Sequence, residues 1–257
     1  MVKVLVTGAS GQAGLCLQSI ANTFTEVQFD FLNSEQLDIT NQIEVEEIFK
    51  AYMPDYCINF AAYTAVDKAE DEIELAYNVN AEGVKNIAEA CKKDGVRLLH
   101  LSTDFVFEGE KKTPYTVTDA TNPINVYGAS KLKGEEYIQE VMEEYFIVRT
   151  SWLYSDFGNN FKKTILRLAE TKNEINVVND QIGRPTEAVD LCAFLMQLIV
   201  SNTMPFGIYH FSGDKICSWY DFAVSIVEEA NLSMKVHPIS SAEYPSKAKR
   251  PKYSVLG

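Results

Sequence analysis

Basic charge is scarce in this chain. Its 257 residues carry 23 Lys and Arg against 36 Asp and Glu, a net charge of −13. Without a cationic stripe to displace counterions, a nucleic-acid partner is not expected. The one short basic run, Lys247-Ala248-Lys249-Arg250, reads as a solvated tail. Histidine is rarer still. His100, His210 and His237 stand alone, and each reads as a strand or loop histidine rather than a ligand or base. The five cysteines are odd in number and scattered through apolar patterns, which favours reduced, packed thiols over a disulfide framework or a metal cage. No apolar run approaches the roughly 18 residues of a membrane span, and no charged-then-apolar leader precedes Val2. The expectation is a cytoplasmic protein with no membrane partner. Apolar residues are plentiful: at 46% hydrophobic content the chain can build one full core, or a nucleotide domain with a smaller lobe.

The N-terminus carries the first positive signal. Val2-Lys3-Val4-Leu5-Val6 reads as a buried strand, Thr7-Gly8-Ala9-Ser10-Gly11-Gln12-Ala13-Gly14 as a turn, and Leu15 to Phe24 as a helix. Glycine suits all three of its positions. Gly8 allows the tight turn, Gly11 lets backbone N–H groups approach a pyrophosphate at the helix N-terminus, and Gly14 permits close packing. At the first turn of a strand–helix pair this pattern points to a dinucleotide. A second strand follows at Val27 to Phe31, where Asp30 or Asn33-Ser34 is placed to meet an adenosine ribose. No Lys or Arg lies between Thr25 and Phe49, which leans toward NADH over NADPH unless a cation comes from elsewhere. Leu37-Asp38-Ile39-Thr40 opens a helix to Tyr52 with Thr40 as N-cap. Asp38 reads equally as an adenine contact and as a helix-entry carboxylate.

Asp55 to Phe60 reads as a third strand, with Ala61, Ala62 and Tyr63 at the carboxyl end, where ligands of a parallel sheet bind. Thr64 leads into a long helix through Asn80 to Lys93, Asn80 holding either a water or a backbone carbonyl, or serving as a satisfied buried amide. Val96 to Leu101 is a fourth strand delivering Ser102-Thr103-Asp104. Alternation of strand and helix at this rhythm predicts an α/β, Rossmann-like, doubly wound parallel sheet over residues 1–150. Residues 151–257 are expected to supply mainly a smaller C-terminal substrate-binding lobe, with the chain crossing between the two.

The remaining signal is Tyr127-Gly128-Ala129-Ser130-Lys131. A phenol and an ammonium four apart on one helix share a face, and the ammonium is expected to lower the phenol pKa from ~10. With Thr7-Gly8-x-x-Gly11-x-x-Gly14, Asn59-x-Ala61-Ala62 and Ser102-Thr103-Asp104, this set resembles the extended short-chain dehydrogenases/reductases. Across nearly the whole chain, Ala62 to Glu70, Ser102 to Gly109, Asn125 to Gly128, Arg149 to Tyr154, Gly158 to Phe161 and Asp180 to Thr186 resemble the dTDP-4-dehydrorhamnose reductase family within that group.

The resemblance implies an enzyme that reduces the 4-keto group of a dTDP-linked 6-deoxyhexose with NADPH or NADH, in nucleotide-sugar and cell-surface polysaccharide biosynthesis. It implies Thr103, Tyr127 and Lys131 as catalytic residues. The cofactor would be bound by Gly8, Ser10, Gly11, Gln12, Ala13, Gly14, Asp38, Ile39, Ala61, Ala62, Tyr63, Asn80, Ser102, Tyr127 and Lys131. The sugar nucleotide would meet Val66, Thr103, Asp104, Tyr127, Trp152, Asn160, Gln181 and Arg184. Arg184 is offered for the diphosphate, with a surface salt bridge as its alternative. No ligand spacing supports carrying over the Mg²⁺ of some family members. The assembly is expected to be a monomer or homodimer. The segment from Arg250 to Leu256 resembles one that continues into a further helix in the family. Two rivals share the fold: a sugar-nucleotide dehydratase or epimerase, and a non-catalytic subunit like the regulatory partner of methionine adenosyltransferase. Thr103-Asp104 is followed by Phe105 where a dehydratase needs a second carboxylate.

Overall fold

The computed structural model describes residues 1–201 and 203–257. In chain order the elements of the first half are β1 (Val2–Thr7), α1 (Gln12–Ile20), β2 (Val27–Phe31), α2 (Gln42–Tyr52), β3 (Tyr56–Asn59), α3 (Val66–Ala69), α4 (Ile73–Tyr77), a π-helical turn (Asn78–Glu82), α5 (Gly83–Asp94), β4 (Arg97–Thr103), α6 (Val126–Val141) and β5 (Tyr145–Thr150). The second half runs β6 (Leu153–Tyr154), α7 (Phe161–Ala169), β7 (Glu174–Val178), β8 (Ile182–Gly183), β9 (Thr186–Glu187), α8 (Ala188–Ser201), β10 (Gly207–His210), β11 (Cys217–Ser218), α9 (Trp219–Glu229) and β12 (Lys235–Ile239).

Six strands form one sheet in the order β10-β5-β4-β3-β1-β2, and every pairing in it is parallel. Parallel strands need both faces covered. One face carries Val45, Phe49, Val84, Ile87 and Ile138 from α2, α5 and α6 against Leu5, Leu98 and Ile147. The other carries Cys16, Leu17, Leu191, Leu195 and Leu198 from α1 and α8 against Val4, Val6, Ile58, Leu99 and Val148. The strand order reverses beside β1, between β1 and β3, so the crevice of a doubly wound fold opens where Thr7 and Asn59 lie in register. All five cysteines are buried and unpaired.

The smaller lobe is built around an apolar cluster of Ile165, Ile175, Val177, Phe222 and Ile226, with short strand pairs β12–β7, β11–β8 and β6–β9 at its edges. The division at residue 150 is not clean along the chain, because α8 and β10 return to the main sheet and its helical layer. The pairing of Lys235–Ile239 beside Glu174–Val178 is a parallel ladder that hydrophobic patterning did not predict.

Two local expectations change. The helix after Asp38 is capped by Asn41, whose side chain accepts from the Glu44 N–H, and not by Thr40, whose N–H and hydroxyl both donate to Asp38. The long helix from Thr64 to Lys93 is three pieces with a π-turn at 78–82. Asn80 lies in that turn with no exposure, and its amide brackets the Tyr63 backbone: Oδ1 accepts from Tyr63 N at 2.8 Å and Nδ2 donates to Tyr63 O at 3.0 Å. A widened turn of this kind re-aims one side chain at the cost of helix regularity.

Candidate active site

The glycine turn sits at the crevice floor. Gly8 has φ +65°, and a Cβ there would lie 2.5 Å from the Ala61 backbone nitrogen, so β1 and the 60–63 segment can approach this closely only without a side chain. Gly11 is the N-cap of α1 and offers no side chain to the first-turn N–H groups. Those donors, with the positive end of the helix dipole, fit a dinucleotide diphosphate. Ser10 and Gly11 are exposed, Gln12 is half-buried, and Ala13 and Gly14 are buried. Gln12 accepts at Oε1 from Asn160 Nδ2 at 2.7 Å. Asn160, expected on the substrate, is therefore the N-cap of α7 and ties the small lobe to the glycine turn.

Several expected cofactor contacts are committed elsewhere. Ile39 is 4% exposed and packed in the core beneath α5. The Ser102 hydroxyl donates to Glu135 Oε1 at 2.5 Å, inside a buried ion pair in which Glu135 Oε2 meets Arg149 Nη2 at 2.6 Å. The polar atoms of Asn80 are spent on Tyr63 and on the Ser130 hydroxyl, so it positions the half-buried Ala61-Ala62-Tyr63 wall instead of forming part of it. Asp38 is exposed, holding the turn at Thr40.

Above the floor, β4 ends in Thr103, and α6 begins one residue before Tyr127. Asn125 caps α6 by accepting from Gly128 N at 2.7 Å. Gly128 is required there because a Cβ would fall 2.1 Å from the Phe105 carbonyl oxygen. The close approach brings the start of α6 onto the turn that follows Thr103, and the Tyr127 ring meets Phe105 edge-on at 5.8 Å. Burial pushes the phenol pKa up to about 12, opposed by its hydrogen bond with the Thr103 hydroxyl and reinforced by the Asp104 charge. The end of β4 and the start of α6 thus bring Thr103 and Tyr127 together.

The expected acidification of this phenol by Lys131 is absent. Lys131 is 2% exposed, and its Nζ is drawn inward, donating to Leu101 O at 2.7 Å and lying 3.1 Å from His100 Nε2. Burial lowers its pKa to about 8, against the pull of Glu135. Asp104 is pushed up to about 7 by burial, with the Ser254 and Thr103 hydroxyls opposing. Its Oδ1 accepts from Thr103 at 3.1 Å, while Oδ2 is buried without a hydrogen-bond partner. That free oxygen beside Thr103 and Tyr127 fits a ligand hydroxyl.

A cavity of about 330 Å³ adjoins the site, walled by Phe105, Phe161, Trp219 and Tyr244, with Gln181 and Arg250 among its polar groups. Arg184, expected to meet a diphosphate here, instead donates from Nη1 to the Leu256 carbonyl at 2.9 Å. The guanidinium that does line this cavity is that of Arg250. Expected from sequence to belong to a solvated tail, it lines the cavity, with Nη2 held 2.7 Å from Asp67 Oδ2. Trp152 adopts a left-handed φ of 48°, a strained conformation for a non-glycine residue. Its indole stacks on Trp219 at 3.5 Å, so it backs the cavity wall. Val66 is half-buried at the start of α3, on the side of Asp67. Among the described residues, no cluster of three or more His, Cys, Asp or Glu is placed to hold a metal, and no helix is long and apolar enough to cross a membrane.

Comparison with known proteins agrees with this geometry. Residues 2–257 match the family model described as the RmlD substrate binding domain. The dTDP-4-dehydrorhamnose reductase of Aggregatibacter actinomycetemcomitans is 43% identical, across 100% of this chain and 90% of the relative. The spore coat polysaccharide biosynthesis protein SpsK of Bacillus subtilis is 42% identical, across 100% and 89%. A crystal structure of dTDP-4-dehydrorhamnose reductase from Bacillus anthracis in complex with NADP superposes with a TM-score of 0.97 at 43% identity, covering 100% of this chain and 91% of that one. The chain belongs to the dTDP-4-dehydrorhamnose reductase family.

Proposed function

We propose that this protein reduces the 4-keto group of dTDP-4-dehydro-6-deoxy-L-mannose to give dTDP-L-rhamnose, using NADPH or NADH. The observation that carries the reading is the approach of the start of α6, with Tyr127, to the turn after Thr103 at the carboxyl end of β4, on the same side of the sheet as the uncapped N-terminus of α1. Relatives named for this reaction support it.

The bound dinucleotide supplies the hydride. Everything else falls to the chain's own groups. The glycine turn and the first N–H groups of α1 bind the diphosphate. Tyr127 holds the proton to be delivered, and at about 12 its pKa keeps the phenol protonated throughout the neutral range. Thr103, whose hydroxyl rests on Asp104 Oδ1 without ligand, would turn its one proton to the same carbonyl oxygen as a second donor. Preorganised donors aimed at a developing alkoxide contribute roughly 10²–10³-fold each in comparable sites. Asp104 Oδ2, buried and unpartnered, accepts from a sugar hydroxyl and thereby orients the ring. Arg250 meets the nucleotide diphosphate with a guanidinium already fixed by Asp67, and the aromatic walls of the cavity take the base.

The test is product identification. Purified protein is incubated with the 4-keto sugar nucleotide generated in situ and with each reduced cofactor in turn, and the sugar is identified by NMR. The expected product is dTDP-L-rhamnose. Recovery of unreduced ketone from folded protein with both cofactors rejects the proposal.

A further inference from the structure

Beneath the reacting groups a buried hydrogen-bond chain has a fixed direction. It begins at the Ala61 backbone N–H, which donates to Asn59 Oδ1 at 3.1 Å, and the Thr7 hydroxyl donates to the same oxygen at 2.6 Å. A backbone N–H can only donate, and its other acceptor, the Thr7 hydroxyl, is farther at 3.4 Å, so the Asn59 oxygen belongs on the Ala61 side and Nδ2 is the group that faces His100. That nitrogen lies 3.0 Å from His100 Nδ1. An amide N–H₂ donates and never accepts, so Nδ1 carries the lone pair. The neutral imidazole then has its proton on Nε2. Nε2–H points at Lys131 Nζ, 3.1 Å away.

An ammonium has three donors and no lone pair, so Nε2–H facing a charged Lys131 sets two donors against each other in a site with no solvent. The alternative of charging His100 places two cations in contact, and burial together with the Lys131 charge drives the imidazole pKa well below 6.5. A free amine resolves the conflict. It accepts from Nε2–H and still donates to Leu101 O at 2.7 Å.

We propose that His100 is a positioning residue that holds Lys131 as the free amine of the unliganded protein in mildly alkaline solution, and that binding of a nicotinamide dinucleotide there converts this amine to the ammonium by uptake of one proton from solvent. The second clause rests on the cofactor reading above. The ammonium accepts nowhere, so the charged form leaves Nε2 for the oxygens that a dinucleotide brings, keeping Leu101 O as its protein acceptor.

The groups around Lys131 are consistent with this. Glu135, one turn along α6, favours the charged form, but its carboxylate is shared with Arg149 and Ser102. Tyr127, one turn earlier, is protonated across the range concerned. Asp104 on the turn after β4 is the other group that titrates near neutrality, and a control must separate it.

Two measurements decide the matter. First, ¹⁵N NMR of histidine-labelled wild-type protein without ligand should show His100 neutral with its proton on Nε2 at pH 9. Second, NAD⁺, which has no group titrating near pH 8, is titrated calorimetrically in buffers of different ionisation heat. At pH 9 wild type should take up close to one proton, and its Kd should rise about tenfold per pH unit above pH 8. His100→Gln presents a carbonyl oxygen that an ammonium can use, so its uptake should vanish and its Kd stay flat. Asp104→Asn should keep the uptake. An Nδ1–H tautomer or an imidazolium at His100, or uptake that survives in His100→Gln or disappears in Asp104→Asn, overturns the proposal. If neither NAD⁺ nor NADP⁺ binds, the cofactor reading fails and the tautomer alone decides the role of His100.

Discussion

Asp104 shows how far a side chain can be moved by its surroundings. Its folded pKa of about 7 lies above the ordinary 3.8, with burial as the largest cause. A raised acid favours folding where it is protonated. Its contribution is complete below pH 4 and is lost as pH rises through 7. Asp104→Asn has no such ionisation, and each pH unit between the folded and unfolded pKa values is worth about 1.36 kcal/mol. The unfolding free energy of wild type should therefore fall relative to this variant by a few kcal/mol between pH 4 and pH 8, roughly the product of that constant and the pKa difference. Urea denaturation at the two pH values checks this, and parallel changes in the two proteins contradict it. At this scale sequence reads well where placement is local: Thr103 ends β4, and Tyr127 and Lys131 lie one turn apart at the start of α6. It reads poorly where the partner is remote. Arg250 looks like a tail residue until Asp67, 183 positions away, fixes it at the cavity. His100 looks isolated because Lys131 lies 31 positions further on.

At the scale of elements, the strands and most helices follow from hydrophobic period, since β1, β3, β4 and β5 are buried on both faces and leave continuous apolar runs. The break between α4 and α5 was not legible, because the π-turn exists to place Asn80 against the Tyr63 backbone, a tertiary contact that local propensity does not encode. Replacing Asn80 by Ala strands the Tyr63 N–H and C=O, each costing about 1–3 kcal/mol. The melting temperature should fall by roughly 5–10 °C, and the KM for NADPH should rise as the 61–63 wall loosens. A differential scanning measurement and a cofactor titration give both values, and an unchanged melting temperature would show that the bracket is not structural. The β7–β12 ladder escaped for a related reason: its two strands are separated by two helices and find each other only in the folded lobe.

At the scale of the molecule, the two lobes are stitched by contacts between distant segments. Gln12 meets Asn160 across the crevice, Arg250 clasps Asp67, and Tyr115 bridges to Leu256. The parallel sheet and its switch point were foreseeable from the alternation of strand and helix. Which late segments return to the main sheet was not, since α8 and β10 have the same apolar character as lobe elements. The clasp carries a prediction that separates the two ligands. Arg250→Met removes the guanidinium while keeping length, and should raise the KM for the sugar nucleotide by about tenfold or more, on the scale of a lost charge-assisted bond. The KM for NADPH should be unchanged, because Arg250 lies on the cavity side and not at the glycine turn. Steady-state kinetics with each substrate varied in turn test this, and equal effects on both would place Arg250 in general stability.

The proposed reaction assigns Tyr127 the role of proton donor, and one comparison tests that directly: the rate of NADPH oxidation by wild type and by Tyr127→Phe at saturating 4-keto sugar nucleotide. The phenyl ring keeps the edge contact with Phe105 and loses only the hydroxyl. The predicted result is a kcat lower by about 10²–10⁴-fold with substrate KM little changed, as for an interaction made only in the transition state. A Tyr127→Phe protein that turns over at the wild-type rate contradicts it.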